Sequence, residues 1–108
     1  MMMDTSHAVG ALAALAHDSR LSAFRLLVQA GPAGLAASKI SDALGMPASS
    51  LSFHLKELAH AGLVTSRQDG RFVIYAARYE TMNGLLGFLT ENCCGGTPCS
   101  PATLQGTI

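Results

Sequence analysis

Lys39-Ile40-Ser41-Asp42-Ala43-Leu44-Gly45-Met46-Pro47, followed by Ala48-Ser49-Ser50-Leu51-Ser52-Phe53-His54-Leu55-Lys56-Glu57-Leu58, decides the fold. Ile40, Ala43 and Leu44 form a single apolar face, so Ser38 to Leu44 reads as a short helix with those residues inward. Gly45 ends it, because glycine enters the left-handed conformation at a helix C-terminus without steric cost. Pro47 then restarts the chain as an early helix position. Leu51, Leu55 and Leu58 recur at i, i+4 and i+7, so Ser49 to Ala59 is a second helix. Two helices joined by Gly45-Met46-Pro47 make a helix-turn-helix.

Downstream, Gly62 closes the second of these helices. Leu63 to Arg67 and Arg71 to Ala77 are strand-like runs around Gln68-Asp69-Gly70. Asp-Gly between alternating runs is a strong hairpin signal, because both residues tolerate positive φ. Upstream, Asp4, Thr5 and Ser6 offer an N-cap for an Ala/Leu-rich helix from His7 to Ala16. Asp18 offers a cap for a second helix with Leu21, Phe24, Leu27 and Val28 inward, ended by Gly31-Pro32. Ala33 to Ala37 is a loop or the start of the next helix. A last helix runs from about Tyr79 to Glu91, with Met82, Leu85, Leu86 and Leu89 as its stripe and Gly84 and Gly87 weakening it.

The expected fold class is mainly α with a β-hairpin: a winged helix-turn-helix in the order α-α-α-α-β-β-α. Residues 1–92 form the globular unit and residues 93–108 a flexible, cysteine-containing tail. A chain of 108 residues makes one domain. Hydrophobic residues make up 49% of it and charged ones 13%, too apolar for disorder and apolar for a monomer. The first helix is apolar nearly all round and must be buried on more than one side, so a homodimer is expected. No apolar run reaches the ~20 residues of a membrane span. No export signal opens the chain, which makes a cytoplasmic location the default.

Net charge is zero, but its distribution is uneven. Lys39, Lys56, Arg67, Arg71 and Arg78 outweigh Asp42, Glu57 and Asp69 in the middle, while Glu80 and Glu91 are the charges that follow. The helix after the turn carries Ser49, Ser50, Ser52, His54 and Lys56 away from the leucine face. Small hydroxyls near a helix N-terminus approach phosphates and base edges closely, and the free N–H groups there favour phosphate. Arg67, Gln68 and Arg71 sit on the hairpin, where a wing touches the DNA backbone or a minor groove. Double-stranded DNA is the partner these residues suggest. A protein-interaction module of the same shape, with merely solvated serines, is the alternative.

The runs from Lys39 to Met46 and from Ser49 to Leu58, together with Ala61-Gly62-Leu63-Val64 and Arg67-Gln68-Asp69-Gly70-Arg71, resemble the ArsR family of bacterial metalloregulators. His17-Asp18-Ser19-Arg20-Leu21, with Leu26-Leu27 behind it, resembles that family's second-helix opening. The resemblance covers roughly residues 8 to 91. It implies a dimeric winged helix, paired through its first and last helices, that binds a pseudo-palindromic operator as a repressor. Such a protein is not an enzyme and needs no cofactor to bind DNA. Pro47 departs from the family pattern, where many relatives have a capping serine, which leaves Ser49 as the expected cap.

Cys93-Cys94-Gly95-Gly96-Thr97-Pro98-Cys99 is the remaining chemical signal. Three clustered cysteines are a poor disulfide framework in a chain without an export signal. Thiolates select soft ions, and three sulfurs suit a trigonal-pyramidal centre such as As(III) or Sb(III). Structural zinc takes four ligands, and no histidine follows His60. The third helix lacks the cysteines, and the last helix the Asp and His, that other family members use. What remains resembles arsenic-responsive members with cysteines just after the last helix. That resemblance assigns Cys93, Cys94 and Cys99 as inducer ligands for As(III), Sb(III) or methylarsenite, the last through two thiols in some relatives. A thiol-redox switch and bystander cysteines are the alternatives.

Overall fold

The computed structural model describes residues 3–96, in which five helices and three strands follow one another. They are α1 (Thr5–Leu15), α2 (Asp18–Ala30), β1 (Leu35–Ala36), α3 (Ala37–Leu44), α4 (Ala48–His60), β2 (Val64–Asp69), β3 (Phe72–Ala77) and α5 (Tyr79–Thr90). The winged helix-turn-helix order is as expected, with one strand added. No described helix is long and apolar enough to cross a membrane.

The core forms where α4 lays its leucine face against α2, α3 and the sheet. Leu51, Leu55 and Leu58 are fully buried there, beside Leu27, Ile40 and Leu63. Each such side chain contributes about 1.5–3 kcal/mol on leaving water. Ala8, Ala11 and Ala14 bury the inner face of α1, and their small side chains let its backbone come close to the core. Asp4 caps α1 by accepting from the His7 amide at 2.8 Å, a bond that holds its carboxyl below the usual carboxylate range. At α2 the cap differs from expectation. His17 is the N-cap and its Nδ1 accepts from Ser19 N, while Asp18 lies inside the first turn, where its charge complements the helix dipole.

Four further inward assignments are corrected. Leu21 and Ala43 are exposed, because Ala23 and Ile40 take the core-facing positions of their helices. Leu86 and Leu89 of α5 are also exposed, and only Leu85 and Thr81 of that helix are fully buried. Thr81 donates from Oγ1 to the Gly62 carbonyl at 2.6 Å, and Tyr79 donates from its hydroxyl to the Val28 carbonyl at 3.1 Å. These two bonds dock the start of α5 onto the body. Gly84 meets Met3 rather than another helix, its missing Cβ lying 3.5 Å from the Met3 methyl.

The sheet is antiparallel in the order β1-β3-β2. Leu35 pairs with Tyr75 and Ala36 with Ile74, so the segment read as loop or helix start supplies an edge strand. Two residues carry no period, which is why pattern reading passes over it. The wing turn is also narrower than expected. Asp69 pairs with Phe72, leaving Gly70-Arg71 as a two-residue loop in which Gly70 alone has positive φ. Glycine first in a two-residue loop is the signature of a type II′ turn. Beyond α5, Asn92 and Cys94 adopt positive φ, and Cys93–Gly96 is a short kinked turn in which Cys94 and Gly95 are non-helical.

Gly34 sets the approach of β1 to β3. Its φ is +72°, and a Cβ there would lie 2.3 Å from the Tyr75 carbonyl oxygen. Gly45 has a similar φ of +63° but open space around it. Gly45→Ala should therefore cost about 1–2 kcal/mol, the left-handed penalty alone. Gly34→Ala should cost clearly more, because backbone must move as well. Urea denaturation of the two variants checks the order, and equal losses would contradict the close approach.

Candidate nucleic-acid interface and cysteine cluster

Gly45 closes α3 in the left-handed conformation, with Met46 N donating to the Ser41 carbonyl at 3.1 Å. This six-to-one bond is a Schellman closure, and it turns the chain sharply before α4. The Ser41 hydroxyl donates to the Met46 carbonyl and braces the same turn. Pro47 is the N-cap of α4, and no side chain caps this end. The expected Ser49 cap is absent because Ser49 already lies inside the first turn. The first amides of α4 thus have no partner within the helix.

With Leu51, Leu55 and Leu58 inward, α4 turns Ser49, Ser50, Ser52, Phe53 and Lys56 outward, all of them exposed. His54 is different: it is half-buried, and its Nδ1 accepts from Arg20 Nε of α2 at 3.3 Å. The His17 ring lies 4.6 Å away, centroid to centroid. Desolvation first, then the neighbouring His17 and Arg20, hold the His54 imidazole below the ordinary histidine range. His54 is thus neutral at neutral pH and joins α4 to the start of α2.

The wing residues Arg67, Gln68 and Arg71 are exposed, and two of them are engaged at home. Arg67 donates from a terminal guanidinium nitrogen to the Ala33 carbonyl at 3.0 Å, tying β2 to the loop before β1. Gln68 donates from Nε2 to the Gly70 carbonyl at 3.0 Å and closes the turn. Arg71 and Lys56 make no hydrogen bond or ion pair with the described residues. Phe53 was missed in the sequence as a surface feature. The signal was available, since it lies at i+4 from Ser49 and i−3 from Lys56, outside the leucine stripe.

The sulfurs of Cys93 and Cys94 lie 3.6 Å apart on the 3-10 turn. Cys99 lies outside the described residues. Among those described, no group of three His, Cys, Asp or Glu is placed to hold a metal ion.

Comparisons with known proteins agree with this architecture. A family model described as a helix-turn-helix domain matches residues 15–67. The chain is 40% identical over 76 residues to a putative arsenical resistance operon repressor ArsR from Halobacterium salinarum, a match spanning 70% of this chain and 56% of that protein. It is 32% identical to HlyU from Vibrio cholerae, whose structure superposes with a TM-score of 0.66 over 82% of this chain and 97% of that one. The homodimeric winged helix-turn-helix DNA-binding domain of Mb0332 from Mycobacterium bovis superposes with a TM-score of 0.65 at 23% identity, over 88% of each chain, which bears on the fold alone. The fold, the turn between α3 and α4 and these relatives together place the chain in the ArsR family of winged helix-turn-helix transcriptional regulators.

Proposed function

We propose that this regulator is a homodimeric repressor that grips operator DNA through α4 and the wing, and lets go when As(III) joins its C-terminal cysteines. The observation that carries the DNA reading is the division of α4. One face is wholly committed to the core, and the other offers Ser49, Ser50, Ser52 and Lys56 beside an uncapped N-terminus. Arg71 at the wing tip adds a second cation, and Arg67 and Gln68 shape the wing that carries it. A dimer would place two α4 helices in successive major grooves about 34 Å apart.

The dimer reading rests on surplus apolar surface. Val9 and Leu12 of α1 and Leu86 and Leu89 of α5 are exposed on two helices that touch each other. The homodimeric relative from Mycobacterium bovis supports the same assembly. The inducer reading rests on Cys93 and Cys94, already adjacent at the end of α5, with Cys99 five residues further on. Arsenous acid would exchange its three As–O bonds for three As–S bonds, each leaving hydroxyl taking the proton of one thiol and departing as water. Binding there pulls on the last turn of a dimer helix, and it lowers DNA affinity only if the DNA-incompetent state binds arsenic more tightly. A thiol-redox switch is the second reading, favoured by the Cys93 and Cys94 sulfurs standing 3.6 Å apart. The metalloid site exists only in the reduced protein, so a reductant separates the two.

Three measurements test these readings. Lys56→Ala and Arg71→Ala should each flatten the dependence of log affinity on log salt, by roughly 0.9 for each phosphate no longer neutralised. His54→Ala should leave that slope unchanged, because the imidazole is neutral and turned to Arg20; Ser50→Ala and Ser52→Ala should alter sequence preference more than slope. Unchanged slopes for both cation variants would remove α4 and the wing from the interface.

Leu12→Glu or Leu86→Glu puts a charge into the proposed seam, a costly burial. Sedimentation should show monomer where the parent chain is dimeric, and a variant that remains a folded dimer places the contact elsewhere.

Cys93→Ser, Cys94→Ser and Cys99→Ser should each keep DNA affinity and lose arsenite-driven release by tenfold or more, since serine is a much harder ligand. Fluorescence anisotropy in excess reductant, with arsenite or zinc titrated in, reads this directly. Zinc should be a poor inducer, lacking a fourth ligand. Full release by all three variants removes the cysteines from induction, and release by oxidant alone favours the redox reading.

A further inference from the structure

Phe53 is 57% exposed although it sits on the helix that buries Leu51, Leu55 and Leu58 in the core. Phe24, by contrast, is 6% exposed within the core. Phe53 has Ser49 one turn before it and Lys56 nearly one turn after, with Ser52 beside it, so it occupies the middle of the outward face of α4. An aromatic ring there adds nothing to the apolar core, and phenylalanine is a weaker helix former than the charged residues that would suit an exposed position.

The ring is also held. The guanidinium carbon of Arg20 stands 5.8 Å from its centroid, a cation-π distance. The His54 ring meets it edge-on at 5.6 Å and 65°. Arg20 and His54 are themselves hydrogen-bonded. A side chain fixed in this way loses little rotamer freedom when it meets a partner.

We propose that Phe53 is a specificity-determining residue that reads the 5-methyl group of a thymine in the operator. The proposal rests on the reading that α4 enters the major groove. A phenyl ring there has no donor or acceptor to offer. The thymine methyl is the apolar group on the major-groove edges, whereas the guanine O6 and N7, adenine N6 and cytosine N4 would be desolvated without a bond. The serines and Lys56 around the ring supply the hydroxyl and ammonium contacts that align it, and the ring supplies discrimination that they lack. Arg20 acts as a positioning residue from α2.

The test begins with selection of a tight-binding duplex from a random-sequence pool by the full-length, reduced protein. Each thymine of the selected duplex is then replaced singly by deoxyuridine, which deletes only the methyl group. At one or more positions this should weaken binding roughly three- to tenfold, the range expected for losing the burial of one methyl group. Phe53→Ala should bind the parent duplex more weakly and respond less than twofold to the same replacements. Phe53→Leu, which keeps an apolar tip on α4, should retain some of the response and show that the alanine result is not misfolding. A protein indifferent to every deoxyuridine, or a Phe53→Ala variant with the full wild-type response, overturns the assignment of Phe53 while DNA binding stands. Failure to enrich any duplex overturns the DNA reading of α4 itself, and this proposal with it.

Discussion

Everything in this protein depends on how α4 is packed. Its three leucines, Leu51, Leu55 and Leu58, leave water completely, and the surfaces that receive them come from α2, α3 and the start of β2. A helix of thirteen residues in contact with so many neighbours cannot rotate about its axis without exposing a leucine. That constraint orients the opposite face. Ser49, Ser52, Phe53 and Lys56 are presented to a partner because the other side is fully committed.

The polar bonds refine this arrangement rather than create it. Arg20 joins α2 to α4 through His54, and Arg67 joins the wing to the loop before β1. Thr81 and Tyr79 join α5 to the body. Each links elements distant in sequence, and three of the four reach a helix or strand end packed on the core. The first turn of α5 is docked by two hydrogen bonds, and the helix leads into the turn that bears Cys93 and Cys94. Under the proposed induction, chemistry at those cysteines would act on the end of α5 opposite the docked turn.

The two readings of the cysteines differ in what they ask of the chain. Metalloid binding needs reduced sulfurs brought to one point, whereas a redox switch needs only a pair that closes and opens. Adjacent cysteines on a backbone with left-handed residues serve either chemistry. The proposed DNA reading is independent of that choice, because α4 and the wing lie on elements distinct from the cysteine turn.

By itself the sequence determined the helix-turn-helix, the wing and the order of elements. Period, glycine and proline are local signals, and Leu51, Leu55, Leu58, Gly45 and Asp69-Gly70 carry them within a few residues. It also singled out the hydroxyl-rich helix and the cysteine cluster, since residue type alone bears that chemistry. Tertiary structure decided what local pattern could not. Strand β1 exists because Gly34 lets Leu35 and Ala36 reach Tyr75 and Ile74, a contact some forty residues away in the chain. Leu21, Leu86 and Leu89 fit apolar stripes but lie outside, because a helix stripe states its period and not which neighbour arrives to cover it. His54 and Arg67 changed from simple surface donors to structural links for the same reason, since their partners Arg20 and Ala33 are each 34 residues distant. Phe53 already lay outside the leucine stripe in the sequence, and the closed core leaves it more than half exposed.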